Sequence, residues 1–242
     1  MKEITTDEQA WEEYPNYREF FNKLTVAESQ KLKCGPGGVK VPYEGHYMVR
    51  PTYNLYGMGA GAEKKYLTPE TSNKVAPGFF WCEWLEGIHM SFTYIKNLSH
   101  KKHFHLVSAY EGIKKNHREF SAWIDKTNYF DSQNAGKIDR SLISMGYEKS
   151  LILASNLFNI HNTFDSLGPA SDHVPHTINI ETIGNYVIDV HFRDSPDPKV
   201  PQFKPVYLDQ VARRDPTKST YIESFDDAGG WINNPRFGFI LE

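Results

Sequence analysis

Between residues 176 and 193 apolar and polar positions alternate through two runs rich in β-branched and aromatic residues, 177–183 and 186–192, on either side of Gly184-Asn185. Such runs around a dipeptide that accepts positive φ predict a β-hairpin. With a period of two, Ile178 and Ile180 point one way, Asn179 and Glu181 the other, and Val187, Asp189 and His191 share a face. Further back, Phe20, Phe21, Leu24, Ala27 and Leu32 give residues 17–33 the spacing of an amphipathic helix, stopped by Cys34-Gly35-Pro36-Gly37-Gly38. Strands are expected over 45–51, 79–85, 88–95 and 104–110. Phe120, Trp123 and Ile124 are spaced as on a short helix within 117–127, and the apolar positions of 141–160 predict one long helix. Asp7 is placed to cap a short helix that ends before Pro15. Residues 63–76 and 128–140 are polar connections, and the prolines of 195–205 predict extended or looped chain leading into a small C-terminal extension.

Composition narrows the class. The chain has 242 residues, 39% hydrophobic and 24% charged, enough for a real core in one two-lobed unit or two small domains. A net charge of −3 provides no overall basic field for nucleic acid. Two cysteines, Cys34 and Cys82, are too few for a disulfide framework and point to a reducing compartment. No run approaches the ~20 apolar residues of a membrane span. The expectation is a soluble, cytoplasmic protein without a membrane partner.

Candidate chemistry gathers on the hairpin. If the face carrying Glu181, Asp189 and His191 is covered, unpaired carboxylates there would cost several kcal/mol, and a divalent cation would compensate them. Mg²⁺ suits such a pair because it takes one or two carboxylates and completes its shell with water and phosphate oxygens. A solvent-facing polar face is the plainer reading of the same pattern. Gly57, Gly59 and Gly61 stand at alternate positions after Arg50-Pro51, where backbone amides can approach a phosphate closely; a flexible turn is the plainer reading. His100, Lys101, Lys102, His103 and His105 form a basic cluster that reads as an exposed turn or as phosphate steering.

Asn179-Ile180-Glu181 followed by Val187-Ile188-Asp189-Val190-His191-Phe192-Arg193 resembles the metal-binding end of ATP-grasp enzymes, in particular the carbamoyl-phosphate-synthase type. There Asn-hydrophobic-Gln/Glu is followed by hydrophobic-Glu-hydrophobic-Asn-Pro-Arg. Asp189 stands where Glu is usual, His191 where Asn is, and Phe192 where Pro is. Two further motifs come in the family order. Arg50-Pro51 and its glycine loop resemble the Lys-Pro pair and triphosphate loop, with arginine keeping the charge and adding a bidentate fork. Residues 83–91 around Glu86-Gly87 resemble the adenine hinge, which places Glu83, Trp84 and Leu85 on the base and His89 on the ribose. Asn22-Lys23 resembles the pair that opens the preceding helix, whose lysine contacts phosphates in some members.

The resemblance implies an α+β ATP-grasp fold, two lobes with nucleotide between them: a domain over 22–195, its small lobe about 22–80 and its large lobe about 81–195, between extensions at 1–21 and 196–242. It further implies an ATP- and Mg²⁺-dependent carboxylate-amine ligase working through an acyl phosphate. Arg50 and Arg193 are the catalytic cations, Lys23 joins them on the nucleotide, and Glu181, Asp189 and His191 are the metal ligands. The substrates would be small-molecule or peptide carboxylates and amines, with a homo-oligomer or partner chain left open. The substitutions at Arg50, His89, Asp189 and His191 equally suit a nucleotide-binding or structural protein that retains a degenerate ATP-grasp fold.

Overall fold

The computed structural model describes residues 4–96, 104–130, 175–211, 220–230 and 232–242. The basic residues 100–103 and the long helix expected over 141–160 lie outside them. In chain order the elements are α1 (Asp7–Glu13), a 3-10 turn (Pro15–Phe21), α2 (Lys23–Ser29), β1 (Cys34–Pro36), β2 (Gly45–Pro51), β3 (Glu63–Leu67), β4 (Phe79–Glu83), β5 (His89–Lys96) and β6 (Phe104–Lys114). They continue with β7 (Phe120–Asp125), α3 (Thr127–Phe130), β8 (Thr177–Ile183), β9 (Tyr186–His191), β10 (Gln202–Tyr207), α4 (Leu208–Val211), β11 (Thr220–Asp226) and β12 (Arg236–Leu241). Among the described residues no helix is long and apolar enough to cross a membrane.

The chain divides into two compact units that interleave in sequence: Met1–Arg18, Gly87–Glu111 and Asp125–Asp197 form the first, and Glu19–Glu86, Gly112–Ile124 and Pro198–Glu242 the second. The change of unit between Glu86 and Gly87 falls within the stretch read as a hinge. Residues 196–242, expected as an extension, belong almost wholly to the second unit.

In the first unit β5, β8 and β9 run antiparallel in that order. Met90, Phe92, Tyr94, Ile178, Ile180 and Val190 on one face are at most 1% exposed, each worth roughly 1.5–3 kcal/mol of apolar burial. The β8–β9 hairpin turns at Gly184-Asn185 as expected, with Gly184 at φ 54. Its register slips between Glu181 and Thr182: Glu181 faces Asp189, but Thr182 faces Val187, so Ile188 is an extra residue. This bulge places Val187 with Val190 on the apolar face, correcting the expectation that Val187 shares a face with Asp189 and His191. Gly87, at φ 133, sits against the turn: a Cβ on it would stand 2.8 Å from Gly184 Cα, and Gly184 N donates to Ile88 O at 2.9 Å.

In the second unit β1, β4, β2 and β3 form a four-stranded antiparallel sheet in that order. Tyr47, Val49 and Trp81 meet Val41, Leu67 and Val75 in its core, and Trp81 Nε1 donates to Val39 O at 2.9 Å. Residues 63–76, expected as connection only, supply β3, an edge strand on which only Leu67 is buried and whose charges discourage further pairing. The helix expected over 17–33 is divided at Asn22, whose Oδ1 accepts from Thr25 N at 3.0 Å and starts α2 afresh. The helix expected within 117–127 is instead β7. Its Trp123 faces Phe203 across the β7–β10 pairing, and tertiary aromatic packing overrides a helical spacing of three residues. β10 carries Pro205 in mid-strand. β7 pairs only with Gln202 and Phe203, so β10 is an edge on that side where the missing N–H falls.

Candidate functional site

On the first unit the face of β5, β8 and β9 opposite the apolar one is polar and mostly buried. Alternation sets His89, Ser91 and Thr93 beside Thr177, Asn179 and Glu181, with Asp189 and His191 across from the last two. Asn179 is 3% exposed, and its amide nitrogen lies 2.9 Å from Ser91 Oγ and 3.1 Å from Thr93 Oγ1, which ties β8 to β5. α1 delivers the remaining charge. Thr6 caps it by accepting from Gln9 N, and Asp7, in its first turn, is buried with Oδ2 2.8 Å from His191 Nδ1. Arg193 Nε lies 3.1 Å from Asp7 Oδ1.

The charges are coupled along one line. Glu181 Oε2 is 3.1 Å from His89 Nε2, while His191 Nε2 lies 3.7 Å from Glu181 Oε1 and 3.9 Å from Asp189 Oδ1. The last two separations are ion-pair contacts, too long for hydrogen bonds. Burial alone would raise the Glu181 carboxyl, but His191 and His89 outweigh it and hold the carboxyl well below the usual range. Burial likewise opposes charge on His191, yet Asp7 and Asp189 carry the imidazole up to about 9, so it is an imidazolium at neutral pH. Asp7, against its own burial, is lowered by His191 and Arg193.

The structure therefore brings together Glu181, Asp189, His191, His89 and Arg193 of the expected residues. Among the described residues no group of three or more His, Cys, Asp or Glu is arranged to hold a metal ion. His191 sets Nδ1 2.8 Å from Asp7 Oδ2 and turns Nε2 toward Glu181 and Asp189, the two carboxylates expected as its fellow ligands. The cross-strand carboxylate pair Glu181/Asp189 has the chemistry to hold a hard cation.

The other expected residues lie in the second unit or at its edge. Lys23 opens α2 with its backbone N donating to Thr52 O at 2.9 Å. Arg50 stands in β2 opposite Phe80. Gly57, Gly59 and Gly61 all have positive φ, at 72, 63 and 70, and Met58 between them has φ 51. A Cβ on Gly61 would stand 2.8 Å from Pro51 Cγ, so the glycine loop packs directly on the Arg50-Pro51 segment. Glu83 closes β4 against β1, its Oε1 accepting from Lys33 N at 2.9 Å. Trp84 receives Lys64 Nζ over its ring at 4.1 Å, and Leu85 follows it half-buried.

Asp7 was expected as the helix cap, a place that Thr6 takes instead; its role beside His191 was missed because an acidic first-turn residue already suits a helix dipole and nothing local announces a partner 184 positions away. Ser91 and Thr93 carried one signal, polar residues recurring with period two inside an apolar strand.

No family model matches the chain, and comparison with curated proteins finds no relative. Solved structures do match. N5-carboxyaminoimidazole synthetase from Staphylococcus aureus, complexed with ADP, aligns over 92% of this chain and 68% of its own at 10% identity and TM-score 0.53. An N5-carboxyaminoimidazole ribonucleotide synthetase in complex with ADP aligns over 93% and 68%, at 12% identity and the same TM-score of 0.53. An ATP-grasp superfamily protein from Archaeoglobus fulgidus aligns over 92% of this chain and 64% of its own, at 10% identity and TM-score 0.49. The chain spans about two thirds of the length of these structures.

Proposed function

We propose that this chain, which has the ATP-grasp fold, is an ATP-dependent ligase that joins a carboxylate to an amine. The observation carrying the reading is the Glu181/Asp189 pair, two carboxylates directly opposed on a largely buried polar face whose His191 is linked through Asp7 to Arg193. A carboxylate oxygen of the substrate attacks the γ-phosphorus of ATP, the bond to the bridging oxygen breaks, and ADP leaves. The amine then attacks the acyl carbon, phosphate leaves, and the nitrogen sheds a proton. Mg²⁺, held by Glu181 and Asp189, would supply charge neutralisation at the phosphates.

The chain's own residues have separable tasks. Asp7 and His191 hold Arg193 and Glu181 in place before any ligand arrives. Arg193 keeps a guanidinium near the transferred group, where one preorganised donor is worth roughly 10²–10³ in rate. Arg50 and Lys23 neutralise phosphate charge in the second unit. Asn179 acts through the sheet by fixing the register that opposes Glu181 to Asp189.

The test begins with melting of the full chain with ATP and Mg²⁺, together and singly. A stabilisation that needs both is expected, since a ligand that binds the folded state alone raises its melting temperature. ADP release is then measured with mixtures of carboxylates and amines. No ADP with any mixture, despite binding, would leave a nucleotide-binding relic. Absence of a shift with ATP would remove the nucleotide reading altogether.

A further inference from the structure

The glycine loop of the second unit has a neighbour outside the motifs that led to it. β6 and β7 are joined by a tip held from within: Lys115 N donates to Glu119 O at 2.8 Å, and Asn116 Oδ1 accepts from Arg118 N and from Glu119 N, both at 2.9 Å. Gly112 lets the strands close, because a Cβ on it would stand 2.6 Å from Phe120 Cε1. The Glu119 carboxylate is committed to Lys115 at 3.1 Å and to Asn234 at 2.9 Å.

This braced tip presents Arg118 to the loop. Its Cγ lies 3.8 Å from the place of a Gly59 Cβ, and the side chain is exposed. Among the described residues no carboxylate forms an ion pair with its guanidinium; Glu63 feels its charge but is paired with Lys65 at 2.8 Å. A second guanidinium reaches the same loop, Arg236 NH1 lying 3.7 Å from Met58 Sδ, with Asp226 as its own counter-charge at 3.6 Å. Lys64 and Lys114 add charge of the same sign around His117.

The backbone points the same way. Met58 holds a left-handed φ of 51, a conformation that costs a non-glycine residue roughly 1 kcal/mol and persists where surroundings enforce it. Ala60 N and Ala62 N are used inside the loop, donating to Gly57 O at 3.0 Å and Gly59 O at 2.9 Å. The amides of Met58, Gly59 and Gly61 have no such internal acceptor among the described residues. Left-handed turns of this kind gather N–H groups into anion-binding concavities.

We propose that the Arg118 guanidinium is a direct phosphate ligand beside the 57–61 loop, adding a side-chain anchor to the loop already expected to hold the triphosphate. It rests on the nucleotide-binding half of the proposed function. A planar fork on a braced hairpin takes two phosphate oxygens at once, which a lysine at the same place would not.

Calorimetry on the full chain with inorganic tripolyphosphate, ATP and adenosine tests it. Arg118→Ala should weaken tripolyphosphate and ATP roughly ten- to a hundredfold and leave adenosine unchanged, while Arg118→Lys recovers part of the loss. The tip is exposed, so melting of both variants should match the parent and exclude misfolding as the cause. Equal tripolyphosphate affinity in parent and Arg118→Ala, or no tripolyphosphate binding by the parent, would overturn the site. A parent that binds tripolyphosphate through Arg118 yet releases no ADP with any substrate mixture would sink the ligase reading and leave this site standing.

Discussion

Asp7 and Arg118 are both charged side chains beside residues assigned to ATP chemistry, and they are treated in opposite ways. Asp7 is 2% exposed, grips His191 at 2.8 Å and Arg193 at 3.1 Å, and belongs to a network completed by Glu181 and His89. Arg118 stands exposed on a stiff tip, beside a loop whose backbone rather than side chains is distorted. The charges of the first region are set against one another. In the second, no carboxylate among the described residues pairs with the Arg118 guanidinium. Preorganisation in the first is electrostatic and costs desolvation, which the ion pairs offset; in the second it is conformational and costs backbone strain.

Breaking the buried network should have the largest effect. Asp7→Ala leaves His191 and Arg193 facing each other without their shared counter-charge, and a loss of about 3–5 kcal/mol is expected in denaturant unfolding. A loss below ~1 kcal/mol would show that α1 is loosely held. The pH dependence sharpens the point. The His191 pKa is raised from 6.5 to about 9, so its contribution is fully present below 6.5 and fades as pH rises through about 9. Asp7 is lowered, so its share is present above the usual carboxylate range and fades as pH falls through its own depressed value. Without divalent metal, the parent should lose on the order of 3 kcal/mol between pH 6.5 and 10, and Asp7→Asn should flatten that slope. A parent curve as flat as the variant's would contradict the imidazolium.

Smaller effects belong to the loop. Gly61→Ala meets Pro51 Cγ at 2.8 Å while holding φ 70, and about 2 kcal/mol of destabilisation is expected together with weaker ATP binding. Gly57→Ala, at φ 72 with nothing within 4 Å of the new Cβ, carries the backbone term alone, about 1 kcal/mol. Thermal melts that rank the two equally would mean that contact with Pro51 does not shape the loop.

The sequence showed most where chemistry is local. A hairpin announces itself through Gly184-Asn185 and flanking alternation, and Asn22 capping α2 sits beside the lysine it was paired with. The bulge at Ile188 was not legible, because nothing in Val187-Ile188-Asp189 distinguishes a regular strand from one with an extra residue; the cross-strand partner decides. β7 was misread because Phe120, Trp123 and Ile124 satisfy either period over so short a run, and the choice is made by Phe203 about eighty positions away. Pro205 disguised β10, since the edge that makes a proline tolerable is a property of the sheet. The meeting of Glu181, Asp189 and His191 was legible from strand alternation, whereas the partner of His191, Asp7, is connected to it by no motif.

Gly87 and Gly184 touch backbone to backbone, one entering β5 and the other turning β8 into β9. A Cβ on Gly87 would press on Gly184, and Gly184, at φ 54, holds a left-handed conformation that strains any other residue. Among descendants of this chain the two sites should therefore drift as one character: a lineage that replaced either glycine would be expected to carry a lengthened or shortened turn at 184–185 rather than a second substitution.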